Sequence, residues 1–359
     1  DKMLLDNARE NGADVTEECK VQQVRLDVPG GGVEAEAVHA DGSRHTYSAK
    51  FLLDASGQSS FIASKMGTKT PYEGLDRVAF FSHWSQTTYD RALREGLIKI
   101  VYLGGEKNGW CWVIPVGRDL LSIGVTLNNA YVKEKKKQYA AYGDEWKTHF
   151  YNDEIMESPV IRDILKNATR THDVILLGDY SYRTSKRYGS NYALIGDAAA
   201  FLDPIFSSGI YIAFESADRV SEAVEALLKD PAGNGAKSME EAFADMDGAY
   251  ALLERLIRLF YKPDTWNFAA AGSQELLAYH KFEAAFTIFH NLFAGDFFTN
   301  YKKYITFIED MEKQDMFQKY INFAHSRGEG YNNDNCGDDF QQAYDDIDES
   351  LLDLPKAIH

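Results

Sequence analysis

The chain has 359 residues, of which 45% are hydrophobic and 26% are charged, a balance typical of a globular protein with a large core. Its formal net charge of -17 argues against a nucleic-acid partner, because neutralising phosphates requires clustered Lys and Arg. No long apolar run occurs, and the first residues lack the basic start and apolar middle of a secretion signal. We therefore expect a cytoplasmic protein with no membrane span.

Cysteine and histidine spacing gives no sign of a disulfide framework or a metal site. Cys19, Cys111 and Cys336 are far apart and lack CxxC spacing, which predicts unpaired thiols. The histidines also lack the spacing of metal ligands, so no metal is expected. Those considered are His83, His172, His280, His290 and His325.

The first third of the chain predicts a helix followed by a β-meander. A helical pattern over residues 2–11 ends at Asn11-Gly12, and three alternating runs follow: CKVQQVRLDV, VEAEAVHA and HTYSAKFLLDA. The glycines at 30–32 lie between two of these strands. A phosphate-binding loop must instead open a helix, so we interpret these glycines as a hairpin turn.

The third strand run ends in small residues. Asp54 and Gly57 follow it, and a helical pattern starts at Phe61, an arrangement that lets a ligand approach the backbone closely. The runs VAFFSHW, IKIVYLG, GWCWVIPVG and LLSIGVTL then predict an antiparallel sheet that covers a substrate pocket, and residues 131–169 are predicted to be helical.

Residues 191–228 form the densest motif. An apolar strand, Tyr192–Ile195, leads into Gly196 and Asp197, and Asp197 at a strand end is placed to accept hydrogen bonds from sugar or ribityl hydroxyls. As a purely local alternative, Asp197 is a turn former.

A Ser-Ser-Gly sequence opens the long amphipathic helix of this motif. The free N–H groups of Ser208, Gly209 and Ile210 favour electron-rich or anionic atoms, such as the edge of a reduced flavin or a halide. The local alternative is an ordinary capped helix with Ser207 or Ser208 as N-cap.

Two tryptophans lie in the run GWCWVIPVG. Strand alternation places Trp110 and Trp112 on one face, and Cys111 and Val113 on the other. The alternative to a functional role is two tryptophans that fill a buried sheet face.

The segment GDAAAFLDPIFSSGIYIA resembles the flavin-contacting motif of flavin-dependent halogenases and of their relatives, the FAD-dependent monooxygenases and geranylgeranyl reductases. Phe201, Pro204, Ser207 and Gly209 match the spaced pattern of the halogenase branch. The sequence WCWVIP at 110–115 matches that family's WxWxIP motif.

Further similarities extend the resemblance over nearly the whole chain. Asp54–Gly57 resembles the family's FAD-contacting strand end, and Leu259–Tyr261 with Ala294–Phe298 resembles its helical C-terminus. The implied fold class is α/β (α+β): a Rossmann-like FAD/NAD(P)-binding domain lacking its N-terminal βαβ unit, an antiparallel substrate-binding sheet and a C-terminal helical region. The expected domains are residues 1–70 with 172–230 for FAD, 71–171 for the sheet, and 231–359 for helices with an acidic tail.

The resemblance implies an FAD-dependent oxidoreductase, a two-component halogenase that receives reduced FAD from a partner flavin reductase and uses O2 and halide. The implied cofactor-binding residues are Asp54, Gly57, Gly196, Asp197, Pro204, Ser208, Gly209 and Ile210. The halide would bind Ser208 and Gly209. The residues expected to flank the substrate and the flavin are Trp110, Trp112, Phe201, Phe206 and Ser207.

Two departures from the family pattern shape these expectations. The family's glycine-rich loop, and the lysine proposed to convey hypohalous acid to the substrate, are expected in roughly a hundred residues before Asp1. This chain alone should therefore bind FAD poorly or fold incompletely, and be inactive. Phe206 occupies the place where tryptophan halogenases have a glutamate, which favours a phenol, a pyrrole or a carrier-bound aromatic over free tryptophan. The alternatives are a flavin monooxygenase, a geranylgeranyl-reductase-like enzyme, or a non-catalytic binding protein with this fold.

Overall fold

A computed structural model describes residues 2–231, 233–262, 295 and 297–313. The chain divides into two compact units, each assembled from three segments. The first unit comprises Asp1–Lys69, Thr184–Ala200 and Ile212–Ala242. The second unit comprises Thr70–Arg183, Phe201–Tyr211 and Phe243–His359.

The strands of the described ranges are two to nine residues long. In chain order they are β1 Cys19–Arg25, β2 Val33–His39, β3 Arg44–Ala49, β4 Leu52–Asp54, β5 Lys69–Pro71, β6 Arg77–Ser85, β7 Lys99–Leu103, β8 Gly109–Gly117, β9 Leu120–Asn128, β10 Thr169–Arg170, β11 Ile175–Gly178, β12 Tyr182–Thr184, β13 Tyr192–Leu194 and β14 Ala200–Phe201.

The α-helices alternate with these strands and then dominate toward the C-terminus. They are α1 Lys2–Glu10, α2 Phe61–Met66, α3 Arg91–Arg94, α4 Asn129–Lys136, α5 Trp146–Met156, α6 Pro159–Leu165, α7 Gly209–Lys229, α8 Asn234–Phe260 and α9 Phe297–Lys313.

The first unit contains the predicted β-meander, but its third run was wrong as one strand, because β3 ends at Ala49 and Leu52–Asp54 forms β4 in another sheet. Strands β1, β2 and β3 pair antiparallel in that order. Gly30, Gly31 and Gly32 lie in the turn between β1 and β2 with φ of 91°, 91° and 86°, a region that favours glycine. The hairpin interpretation of these glycines is therefore confirmed.

The first unit also contains a parallel strand pair. Strand β13 pairs in parallel with β4, so Tyr192 lies opposite Leu52 and Leu194 opposite Asp54. Buried Ile62, Ala63 and Ala198 pack around this pair. Because the two strands run the same way, both carboxyl ends lie at one edge.

The second unit is built on a six-stranded antiparallel sheet. Its order is β10-β6-β9-β8-β7, and β11 also pairs with β6. The four strand runs predicted between residues 77 and 127 are confirmed. The sheet extends past the expected domain boundary at 171, because Ile175–Gly178 pairs with β6.

One face of this sheet carries the main core. Val78, Phe80, Trp84, Cys111 and Val125 point to this face and belong to one buried cluster. Side chains of the helices complete the cluster: Tyr131 and Val132 from α4, Phe150, Tyr151 and Ile155 from α5, and Ile161, Ile164 and Leu165 from α6.

The helical stretch predicted over 131–169 is interrupted, so its continuity was wrong. Helix α4 starts after Asn128, whose side chain accepts the Ala130 N–H. Gly143 breaks the path at φ 53° and ψ -127°, outside the helical region. Ser158 caps α6, and Pro159 opens it, where a missing N–H costs nothing.

None of the helices in the described part of the chain is long and apolar enough to cross a membrane. Among the same residues, no group of His, Cys, Asp and Glu side chains could hold a metal ion. The acidic tail, Ala294, Cys336 and the histidines at 280, 290 and 325 lie outside the described residues.

Candidate functional site

The strand edge of the first unit is ordered by a carboxylate. Asp54 is 5% exposed, and its two oxygens accept the N–H groups of Ser56 at 3.0 Å and Ile62 at 2.8 Å. Its carbonyl accepts the N–H of Ile195 at 3.0 Å. The Asp54 side chain thus fixes the turn into α2, and this turn carries Gly57 at φ 62°.

The second strand end of this unit presents the other predicted carboxylate. Gly196 has φ 54°, and its N–H donates to the buried Ser216 hydroxyl at 2.9 Å. A Cβ at Gly196 would lie 3.2 Å from the Ala213 Cβ, so helix α7 packs closely here. Asp197 follows, half-buried, and burial raises the pKa of its carboxyl.

The loop that precedes α7 lies in the second unit and is ordered by Asp203. The Asp203 Oδ1 atom accepts the Ile205 N–H at 3.0 Å and so caps a single 3-10 turn over Pro204–Phe206. Ser207 closes this turn with its N–H on the Pro204 carbonyl at 2.9 Å and with φ 52°. We call Asp203–Gly209 the capped loop.

Two predicted helix-start residues are accessible. Gly209 opens the 21-residue helix α7, and Ser208 precedes it, both partly exposed. Ile210 is 75% exposed. Because the first N–H groups of a helix have no partner within it, the amides here are available to an anion.

The predicted aromatic residues around the capped loop contact other rings of the second unit. Phe201 meets Tyr180 edge-on, with ring centres 6.1 Å apart. Phe206 meets Phe260 at 6.3 Å. Phe206 is therefore packed against the end of α8.

Trp110 and Trp112 share one sheet face, as alternation predicted. Their ring centres are 5.5 Å apart, and they lie opposite Thr126 and Gly124 in register. A Cβ at Gly124 would lie 2.2 Å from the Trp112 ring, so the indole lies flat across that glycine. Its Nε1 donates to the Ser122 hydroxyl at 3.2 Å.

A hydrogen-bonded chain joins Trp110 to the capped loop. The Trp110 Nε1 donates to the Tyr261 hydroxyl at 2.9 Å, and that hydroxyl donates to Asp203 Oδ2 at 2.9 Å. Trp110, Tyr261 and Asp203 are 3%, 5% and 3% exposed. The two motifs, which lie far apart in sequence, meet here through one side chain.

Electrostatics distinguishes Asp203 within this chain of contacts. Burial raises the pKa of Asp203 to about 6, although the Tyr261 hydroxyl, the Ile205 N–H and the Arg77 guanidinium favour the charged form. Arg77 is buried and stacks on the Tyr261 ring, with Cζ 3.9 Å from the ring centre. Burial also raises the pKa values of Tyr261 and Tyr180 well above the usual range.

Asp203 and Tyr261 were predicted only as parts of motifs, and Arg77 and Tyr180 were not predicted at all. One available signal was Trp110 itself, because a buried indole N–H requires an acceptor. Which acceptor it finds depends on the fold.

The first turn of α7 also contacts the C-terminal motif at residues 294–298. The Tyr211 hydroxyl donates to the Gly295 carbonyl at 2.7 Å, and the Tyr211 ring meets Phe297 and Phe298 at 5.4 and 5.9 Å. Gly295 has φ 107° and leaves room for the ring, because a Cβ would lie 2.7 Å from Tyr211. The described part of the 294–298 motif thus packs beside the start of α7.

Comparison with known proteins identifies the family. The model of the tryptophan halogenase family matches residues 1–266, more than half of the chain. The chain belongs to the tryptophan halogenase family. The resemblance stated from the motifs is confirmed.

Curated relatives are halogenases of bacteria and fungi. The chain is 31% identical over 265 residues to the 1H-pyrrole-2-carbonyl-(peptidyl-carrier protein) brominase of Pseudoalteromonas luteoviolacea, covering 73% of this chain and 61% of that protein. It is 28% identical over 230 residues to the tryptophan 2-halogenase of Chondromyces crocatus, covering 64% of this chain and 42% of that protein. The chain spans about half the length of the curated relatives it matches.

Solved structures agree with the fold class. A triple mutant of the flavin-dependent brominase Bmp2 superposes with a TM-score of 0.68 at 25% identity, covering 88% of this chain and 74% of that one. The myxobacterial chondrochloren halogenase CndH, described as an FAD-dependent halogenase, gives a TM-score of 0.64 at 26% identity, covering 82% and 65%. The α/β fold class with a Rossmann-like FAD-binding architecture is thus confirmed.

Proposed function

We propose that this chain belongs to a flavin-dependent halogenase that uses reduced FAD, O2 and halide to halogenate an electron-rich aromatic ring. One observation carries this proposal: the WxWxIP strand and the capped loop, both halogenase motifs, meet in a single buried hydrogen-bonded chain through Tyr261. The strand forms without the capped loop, and the turn of the capped loop forms without the strand. Their junction is therefore explained by a shared site.

The first unit provides residues that suit FAD. Gly57 and Gly196 have positive φ at the strand edge, and open space surrounds the place where a Gly57 Cβ would lie, so backbone there accepts close approach of a cofactor. Asp54 would act through the turn that it orders, and the partly exposed Asp197 carboxylate would accept cofactor hydroxyls. When bound, reduced FAD supplies the electrons that activate O2. We assign the FAD-binding role to this unit.

The second unit provides the halide and substrate residues. The amides of Ser208 and Gly209 would bind the halide at the positive end of α7, close to Pro204 and Ser207 of the capped loop. Trp110 and Trp112 would form an aromatic wall that keeps the substrate away from the flavin and so suppresses its direct oxygenation.

The substrate class follows from Phe206 and from the relatives. An apolar ring at this position supplies no carboxylate beside the site, which favours a phenol, a pyrrole or a carrier-bound aromatic over free tryptophan. One relative is named for a pyrrole held on a peptidyl carrier protein. We propose a separate flavin reductase as the partner that delivers reduced FAD.

The activity test uses the intact protein with FAD, a flavin reductase, bromide, and a panel of phenols, pyrroles and indoles. We expect a monobrominated product that is absent when bromide is omitted. A hydroxylated product formed equally well without halide would contradict the proposal and favour a monooxygenase.

The halide site is tested by removing one amide. Gly209→Pro deletes the N–H at the first helical position, which proline tolerates, while Gly209→Ala keeps it and places a Cβ 3.6 Å from Phe201. We expect the proline variant to raise the KM for bromide about tenfold above that of the alanine variant, the loss of roughly one hydrogen bond. Equal KM values in the two variants would remove Gly209 from the halide site.

A further inference from the structure

Tyr261 lies between two segments that would otherwise be independent. Its hydroxyl is 2.9 Å from Trp110 Nε1 on strand β8 and 2.9 Å from Asp203 Oδ2 at the start of the capped loop. All three groups belong to the second unit. Tyr261 itself follows the last residue of α8, so it reaches both segments from a third element.

The chemistry of the three groups fixes the direction of these bonds. An indole N–H donates and never accepts, so the Tyr261 oxygen must accept from Trp110. Its own proton is then free for Asp203, which accepts as a carboxylate. Each group thus uses its normal hydrogen-bonding capacity. Trp110 donates to Tyr261, and Tyr261 donates to Asp203.

The Asp203 end determines the geometry of the amides that follow. The second carboxylate oxygen holds the Ile205 N–H at 3.0 Å, and the turn ends at Ser207, directly before Ser208 and Gly209. Within the turn, the Ser207 N–H on the Pro204 carbonyl adds one local bond. A displacement of Asp203 would therefore move the Ser208 and Gly209 amides with it.

Packing holds the Tyr261 side chain in a single place. It is 5% exposed, the Arg77 guanidinium lies over one face of the ring, and the Phe260 ring meets it edge-on at 5.2 Å. A side chain confined in this way loses little further entropy when it bonds to the loop. It can therefore act as a rigid spacer.

We propose that Tyr261 is a positioning residue, which fixes the capped loop against the Trp110 strand and thereby sets the halide affinity of the Ser208 and Gly209 amides. The part that concerns halide rests on the proposed function. The part that concerns the loop stands on the geometry alone.

The same unit supplies a matched control. Trp84 Nε1 donates to the Tyr151 hydroxyl at 2.8 Å, and Tyr151 donates to the Ile123 carbonyl at 2.8 Å. Both side chains are buried in the helix-covered core. Tyr151→Phe therefore removes the same type of bond as Tyr261→Phe, but from a chain of contacts that ends within the sheet.

Hydrogen exchange of the intact protein tests the loop directly. We expect amides of the peptide 203–210 to exchange about tenfold faster in Tyr261→Phe than in wild type, the effect of one lost hydrogen bond, and at the wild-type rate in Tyr151→Phe. Wild-type loop exchange in Tyr261→Phe would overturn the proposal. Equal acceleration in both variants would also overturn it, because the effect would then be general destabilisation.

Bromide kinetics tests the link to halide affinity. In Tyr261→Phe the KM for bromide should rise about tenfold with kcat changed less than threefold, while Tyr151→Phe keeps both values. Faster loop exchange with an unchanged KM would overturn the halide part of the proposal. If wild type forms no halogenated product, the proposed function fails, and hydrogen exchange still decides the loop part.

A second variant tests the same proposal if Tyr261→Phe folds poorly. Asp203→Asn keeps the shape and can still accept the Ile205 N–H, but its amide cannot accept both bonds that the carboxylate receives. It should accelerate exchange of the same peptide about as much as Tyr261→Phe. Wild-type exchange in Asp203→Asn would contradict the proposed role of Tyr261.

Discussion

The two faces of the large sheet each contain a tryptophan that donates to a tyrosine. On the helix-covered face, Trp84 bonds Tyr151, which bonds the backbone carbonyl of Ile123 in the same sheet. On the opposite face, Trp110 bonds Tyr261, which bonds the buried carboxylate of Asp203 in a loop. In both cases an indole N–H donates to a tyrosine hydroxyl. The two faces differ in the group that accepts the tyrosine proton.

A carbonyl acceptor and a carboxylate acceptor have different consequences. The Ile123 carbonyl carries no net charge and belongs to a strand that the ladder already holds, so the first chain of contacts adds stability alone. Asp203 carries a buried charge and holds the capped loop. The hydrogen bonds from Trp110 through Tyr261 to Asp203 therefore order that loop, while burying the carboxylate costs desolvation free energy. A buried charge beside a candidate site is typical of functional positions.

Removing the Asp203 carboxylate should have the largest effect on stability. Asp203→Leu leaves the Tyr261 hydroxyl and the Ile205 N–H without their acceptor and removes a carboxylate that interacts with the buried Arg77. We expect a loss of about 3–5 kcal/mol in the free energy of unfolding, measured by urea denaturation. A loss below about 1 kcal/mol would show that the carboxylate is not needed for folding.

The pH dependence of stability should follow the same carboxylate. Its folded pKa of about 6 lies above the usual 3.8, so between these values the folded state binds more protons than the unfolded state. Stability should therefore fall as pH rises from 4 to 6, by on the order of 3 kcal/mol relative to Asp203→Asn. Arg77, Tyr180 and Tyr261 are the other ionisable groups that act on it.

Urea midpoints of wild type and Asp203→Asn across pH 4–7 measure this effect. The difference between the two proteins cancels other titrating groups. Tyr151→Phe should show the wild-type pH profile, because its contact chain ends on a carbonyl. Parallel profiles for wild type and Asp203→Asn would contradict the raised pKa.

A smaller effect should come from a larger side chain at Gly124, on the sheet face that carries Trp110 and Trp112. Gly124→Ala places a Cβ 2.2 Å from the Trp112 ring, so the indole must move and the hydrogen bond to Ser122 must lengthen. We expect a loss of about 1–3 kcal/mol and an altered tryptophan near-ultraviolet circular dichroism spectrum. Gly178→Ala in β11 is the control, since its Cβ would make an ordinary 3.9 Å contact with Val78; equal spectra for the two variants would contradict the placement of Trp112.

The smallest expected signal concerns Cys111, between the two tryptophans. Its thiol points to the helix-covered face, and burial raises its pKa to about 12. In a Cys19→Ser, Cys336→Ser background, we expect no reaction of the native protein with a thiol reagent at pH 8 and full reaction after denaturation. Rapid labelling of the native protein would contradict the burial of Cys111.

Local sequence signals predicted much of the fold, whereas the roles given to the site residues stay predictions. The meander, the four long strands and the hairpin glycines follow from alternation and from backbone conformations that few residues adopt. The predicted helix over 131–169 failed at Gly143, because helical composition on both sides obscured one glycine with a non-helical backbone. Asp54 was expected at a cofactor, and the structure shows its oxygens on its own backbone.

The family, the strands and the face on which Trp110 and Trp112 lie could be predicted from the residues alone, since side chains alternate along a strand whatever surrounds it. The contact of Trp110 with Tyr261, 151 residues away, and the buried hydrogen bond from Tyr261 to Asp203 are visible only in the folded protein. A hydrogen bond between distant side chains leaves no periodic pattern in the chain. It forms only after the sheet, the loop and the end of α8 have been brought together.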